Sequence, residues 1–263
     1  MLTMFKRLAS LIPTPATNKV TLFVSDTGIP SYKDEAGLVT PMSGQPIPAG
    51  YIDGLKMEWV SGTQIRFTSG SAYIPSLGRA LALAAAVTKT PTLAASTWYH
   101  AYLYSNAGTP DVEVATTAPD TPYNGAARTK TGDTSRRYIG SFRTDGSSLI
   151  YNFIVQGPQQ IYMQEVPRSV SGGTSTTFIS VSLSALVPMV SRSAIVAMTN
   201  NGSAAARFRP ASSGFTGSTR MYGLTAGAFV VGPLPTDTSQ NIEYQVDAGG
   251  LANLDVIGFT VER

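Results

Sequence analysis

Strand-like alternation of apolar and polar positions runs through most of this chain. Val20, Leu22 and Val24 alternate with Thr21, Phe23 and Ser25, and Asp26-Thr27-Gly28 supplies a turn. Short strands at Ser31-Tyr32-Lys33 and Leu38-Val39-Thr40 complete a β-meander too small for independent stability. A Pro/Gly-rich linker over 42–50 follows. Between residues 51 and 156 the pattern predicts strands at Leu55–Val60, Thr63–Thr68, Arg79–Leu83, Trp98–Tyr104, Asp111–Ala115, Tyr138–Arg143 and Leu149–Val155, divided by Ser-Gly, Asn-Ala-Gly and Asp-Gly turns. Ala80 to Val87 has no polar face and reads as a strand running into a loop. A second β-rich block predicts strands at Thr177–Leu183, Ala194–Met198, Ala206–Arg209, Arg220–Leu224, Ala228–Val231, Asn241–Val246 and Leu254–Val261. Helical spacing is confined to the start of the chain. There Met1, Met4, Phe5, Leu8, Leu11 and Ile12 recur every three or four residues, and Pro13 and Pro15 end the run. An isolated helix of that length is marginal in water, so it needs a partner surface.

These elements give an all-β expectation in five parts. An N-terminal anchoring helix and tether cover 1–17, and the small meander and linker cover 18–50. A first β-sandwich or barrel-like domain covers 51–156, a connector 157–167, and a C-terminal β-sandwich 168–263. Composition agrees with this. Gly 25 and Pro 17 suit many turns, and a charged fraction of 13% is too low for a charge-rich disordered tail or a coiled-coil rod. No run approaches the length of a membrane span, so no membrane insertion is expected. The apolar run Leu8 to Ile12 is too short for a secretory signal.

The chemical toolkit is small. The chain has no Cys, which excludes disulfides and thiolate chemistry, and its one His is His100. No cofactor motif, nucleophile elbow or metal-ligand spacing occurs, so neither cofactor nor metal is expected. Asp111 and Glu113 share a strand face and form the nearest thing to a carboxylate pair for glycoside cleavage. In STWYHAYLY, the rings of Trp98, His100, Tyr102 and Tyr104 fall on one face, opposite Tyr99, Ala101 and Leu103. That row could stack on a glycan or pack against a second sheet or subunit. Net charge is only +3, and the basic segment 127–143 is split by a Gly132-Asp133-Thr134 turn, which favours a protein contact over nucleic acid. Charge is also segregated, with five Arg and no acid from Arg168 to Arg220 and five acids from Asp237 to Glu262. Such a division could serve a contact between subunits or belong to a solvated surface.

The segment NKVTLFVSDTGIPSYKDEAGLVTPM (18–42) resembles the small N-terminal β-module of tailed-phage fibre and virion-appendage proteins. GSAYIPSLGR (70–79), STWYHAYLY (96–104) and ARTKTGDTSRRYIGSFRTD (127–145) are similar to modules of phage structural proteins. The closing NIEYQVDAGGLANLDVIGFTVER resembles the last strands of receptor-facing β-domains. The resemblance implies a homotrimer in the virion, assembled in the host cytoplasm. It also implies an N-terminus attached to other virion proteins, of tail, collar or capsid, and a distal C-terminal domain. A collagen-like, coiled-coil or β-helical shaft is missing, so a short tail, collar or head fibre is expected, without enzymatic activity. Its partners would be virion proteins and a host-surface glycan. The alternatives are a capsid decoration protein and a glycan-cleaving appendage built on Glu113.

Overall fold

The computed structural model describes residues 6–26, 28–41, 47–120, 127–157, 159–162, 167–211 and 220–263. Two compact units divide at Ile47/Pro48. Strand structure dominates both, and helix among the described residues is limited to the 3-10 turns Ala9–Leu11 and Pro75–Leu77.

The first unit is a sheet in the order β1 (Lys6–Arg7), β2 (Thr21–Ser25), β3 (Pro30–Lys33) and β4 (Val39–Pro41). Here the expected helix is corrected. Lys6 and Arg7 pair in parallel with Val24 and Ser25, and residues 9–11 make one 3-10 turn. A sheet edge offers this short segment ladder hydrogen bonds, which a lone three-turn helix in water cannot match. Met1, Met4 and Phe5 lie outside the described residues. Of the other proposed anchors, Ile12 is buried, and its carbonyl accepts a hydrogen bond from Lys33 Nζ at 2.8 Å. Leu8 and Leu11 are exposed.

In the second unit, β5 (Ile52–Gly54), β8 (Gly70–Ile74) and β9 (Arg79–Leu83) form one small sheet in the order β5-β8-β9. β6 (Met57–Ser61), β7 (Gln64–Phe67) and β10 (Val87–Lys89) form another in the order β10-β7-β6. The segment 79–89 is therefore two strands joined by a short loop. A third sheet runs β12 (Thr109–Ala115), β11 (Trp98–Asn106), β14 (Asp133–Arg143) and β13 (Thr129–Lys130). The remaining strands are β15 (Phe153–Gln156), β16 (Gln159–Tyr162), β17 (Arg168–Gly173), β18 (Ile179–Ser182), β19 (Ser193–Asn200), β20 (Ala206–Pro210), β21 (Tyr222–Leu224), β22 (Phe229–Pro235), β23 (Asn241–Val246) and β24 (Ala252–Thr260). They make an open sheet β15-β16-β24-β19-β22, with β17 also on β24, and a second sheet β18-β23-β20-β21. No sheet among the described residues closes into a barrel. β16 lies inside the stretch read as a connector, and it carries β15 onto β24.

Two cores fill this unit. One joins Leu55, Ile65, Phe67 and Ile74 of the small sheets to Tyr99, Ala101 and Leu103 of β11 and Phe142 of β14. The other fills the sandwich between Val196, Leu254 and Phe259 on one sheet and Phe208, Ile242 and Tyr244 on the other, and Tyr102 and Tyr138 also belong to it. The β11/β14 sheet thus has a core on each face. Residues Tyr99–Leu103 and Arg137–Phe142 are all buried. A β-bulge adjusts the fit: Ala101 opposes Gly140 and Tyr102 opposes Tyr138, leaving Ile139 as the extra residue.

On the outer edge, Asn200 N–H donates to Ala228 O, and the register sets Val230, Gly232 and Leu234 opposite Met198, Val196 and Ala194. The backbone groups of these even-numbered residues face β19, and those of Phe229, Val231, Pro233 and Pro235 face outward. Phe229 and Val231 are exposed.

One buried amide ties three loops at the end of the sandwich. Asn200 Nδ2 donates to the carbonyls of Ala204, Leu224 and Thr225, and its Oδ1 accepts from the N–H groups of Gly202 and Leu251. Truncating it leaves several buried polar groups unpaired, each costing about 1–3 kcal/mol. Asn200→Ala should therefore lower unfolding free energy by about 3 kcal/mol or more, measured by urea denaturation against wild type.

Candidate functional site

The proposed aromatic row lies on β11, and the structure turns most of it inward. Trp98 packs edge-on against Phe259 at 5.6 Å between centroids, and its Nε1–H donates to Ser184 O at 3.1 Å. Tyr102 is fully buried, and its hydroxyl donates to Thr117 O at 2.6 Å. Burial pushes its phenol above the ordinary range, and Tyr138, Glu113 and Asp120 add to the effect. Trp98 and Tyr104 are both half-buried, and the Arg136 guanidinium stands 4.2 Å from the Tyr104 ring centroid. Trp98 and Tyr102 join the central sheet to the larger core, and burial leaves His100 and Tyr102 no open face for a glycan or subunit.

His100 sits within that contact. Its Nδ1 lies 2.7 Å from Ser141 Oγ, and Ser141 Oγ lies 2.7 Å from the Tyr138 hydroxyl. A serine beside an imidazole is the beginning of a nucleophile–base pair. Here Ser141 is fully buried and His100 nearly so. The three groups satisfy one another's hydrogen bonds, as buried polar groups must.

The carboxylate pair is neutralised one residue at a time. Glu113 takes Lys130 Nζ at 2.5 Å and Arg136 Nε at 2.6 Å, and Asp111 takes Lys89 Nζ at 2.6 Å. Partial burial opposes ionisation of Glu113, but the hydrogen bonds from Lys130 and Arg136 outweigh it and hold its pKa below the usual range. A general acid for glycoside cleavage needs the opposite shift. The basic segment is dispersed by the same contacts. Lys130 and Arg136 meet Glu113, while Arg128 and Arg137 are buried.

Segregated charge at the C-terminal end resolves into ion pairs between residues on the outer faces of the sandwich strands and their turns. Arg168 and Asp255 are directly opposed on β17 and β24, with Nε 2.7 Å from Oδ1. Arg209 and Glu243 are directly opposed on β20 and β23, at 2.6 Å. Arg207 reaches Asp247 at 2.5 Å.

An open cleft had no signature in the sequence. It holds about 420 Å³ beside the β6–β7 turn, and Trp59, Asp145, Tyr151 and Asn152 are among the residues lining it. Trp59 Nε1–H donates to Ile150 O at 3.1 Å, which fixes the ring. Asp145 Oδ1 accepts the amides of Ser147 and Leu149. Trp59 meets this wall only through a contact 91 residues away along the chain, so no local motif could announce it. Among the described residues no group of three or more His, Asp or Glu side chains could hold a metal ion. No protein-family model matches the chain, and no curated protein matches it in sequence.

Burial lowers the His100 imidazole to about 4, from an ordinary value near 6.5. The folded chain therefore binds that proton more weakly than the unfolded chain. Above pH 6.5 neither state is protonated and stability is complete. Between 6.5 and 4 the unfolded state takes up a proton that the folded state refuses, so stability falls as pH falls. Below 4 the loss levels off at about 3 kcal/mol. Urea denaturation across this window should show the decline, and a His100→Gln variant should lack that part of it.

Proposed function

We propose that this chain is a non-catalytic structural protein of a tailed-phage virion. It forms a short trimeric tail, collar or head fibre that docks through its N-terminal unit on another virion protein and contacts the host surface. The observation that carries this reading is the apolar face of the N-terminal sheet. Leu22, Tyr32 and Thr40 stand in register across β2, β3 and β4, and Val20 and Leu38 extend the same side. Leu22 is 57% exposed and Leu38 63%, while Phe23 and Ser31 on the opposite side are buried. The sheet thus hides a serine and shows leucines, an arrangement suited to a surface that another protein covers. Covering Val20, Leu22 and Leu38 would contribute on the order of 5 kcal/mol per subunit. A trimer would multiply attachment by avidity.

Absence of catalysis is supported by the ion-paired state of Asp111 and Glu113 and by the interior position of His100. Contact with a surface saccharide fits the Trp59 cleft better than the β11 row, because a fixed ring face lies there beside a carboxylate and an amide.

Leu22→Asp places a charge on the exposed face and should leave the protein folded while removing it from purified particles. Phe23→Asp should unfold the N-terminal unit itself. Normal incorporation of folded Leu22→Asp protein into virions would refute the docking role. Sedimentation of the folded full chain at micromolar concentration should give a trimer, and a monomer there would refute the assembly.

A further inference from the structure

The seam between β14 and the residues after β24 holds more positive charge than its carboxylates balance. Arg128 and Arg137 are buried, and Arg263 is partly buried. Glu262 meets Arg128 at 3.0 Å. Arg137 donates to Arg128 O at 3.2 Å and to Gly50 O at 3.5 Å, and its buried Nε has no partner. Arg263 donates to Gly54 O and Leu55 O at 3.1 and 3.2 Å. Among the described residues no carboxylate pairs with Arg137 or Arg263. Burial lowers the pKa of both, and the guanidiniums of Arg263 and Arg128 push Arg137 further the same way, to about 10. Charges held out of water without a counter-charge are costly.

Against this seam lies a cavity of about 20 Å³, lined by Gln160, Arg263 and Lys56 together with Met57, Ile139 and Val261. Gln160 is buried, and neither its amide nitrogen nor its amide oxygen has a partner. Every charged side chain in the lining is cationic. A space of this size is enough for a small guest such as one water molecule or a monatomic ion. Unbalanced arginines favour an anion over neutral water in that space.

We propose that this cavity binds a single halide ion of chloride size, held by the Gln160 amide N–H and the Arg263 guanidinium in the field of Arg137 and Lys56. The site goes beyond the virion reading and does not rest on it. Its consequence is that folding of this unit is linked to halide, since the anion binds only where the seam is assembled.

Bromide replaces chloride and scatters anomalously, so crystals of the full chain soaked in sodium bromide provide the direct test. An anomalous peak between Gln160 and Arg263 is expected. Thermal unfolding midpoints should rise and saturate with chloride or bromide, relative to gluconate at equal ionic strength, and Gln160→Leu should flatten that response. Water density without anomalous signal in the cavity overturns the proposal, as do peaks found only elsewhere on the protein. Equal midpoints in halide and gluconate overturn it as well. If Gln160→Leu does not fold, the bromide map and the wild-type titration decide the matter.

Discussion

A sheet with a core on each face constrains everything around it. Antiparallel sheets commonly keep one side in water, which permits an alternation of apolar and polar residues. β11 and β14 lack that freedom, because Tyr99, Ala101 and Leu103 face one core while Trp98 and Tyr102 face the other. Buried polar groups on these strands have only the protein to turn to, and most but not all find a partner there. His100, Ser141 and Tyr138 do so with one another, Tyr102 with Thr117 O, and Arg137 with backbone carbonyls. The same sheet joins both cores, so neither half of residues 48–263 can lose its packing without exposing the other.

Scarce charge is placed where it identifies neighbours. Exposed ion pairs contribute little free energy. Arg168 with Asp255 and Arg209 with Glu243 nevertheless sit directly across from each other on paired strands. A slip of one residue would move each arginine to the opposite face, away from its carboxylate and into the core. A chain with few charges can therefore use them to specify register. The blocks of like charge along the sequence are the trace of strands that are distant in the chain and adjacent in the sheet.

Strand positions were legible because period two is local information. The alternation matches Arg79–Leu83 and Asn241–Val246 to the residue and many other strands to within a few residues, but it does not predict Ile52–Gly54, Gly70–Ile74, Gln159–Tyr162 or Arg168–Gly173. Three kinds of feature were not legible. Alternation on β11 could not say that both faces are covered, since burial of the second face comes from strands some 80–160 residues later. Over residues 6–12 the helical spacing gives way to a sheet edge that exists only once β2 has formed, and to one 3-10 turn. The Trp59 cleft and the Gln160 cavity join residues about a hundred positions apart, and they carry no spacing at all. In each case the missing information was tertiary, not chemical.

The outer edge of the larger sheet carries one more consequence. Pro233 and Pro235 stand at the positions of β22 whose backbone points away from β19. Proline has no N–H, so these two positions offer no donor, and the Pro233 carbonyl already accepts from the Tyr222 hydroxyl at 2.9 Å. Another strand arriving there would find a ladder that cannot be completed, while the exposed rings and methyl groups of Phe229 and Val231 stay open to ordinary side-chain contact. The backbone of this border thus denies an incoming strand the continuous hydrogen bonding through which sheets grow into fibres.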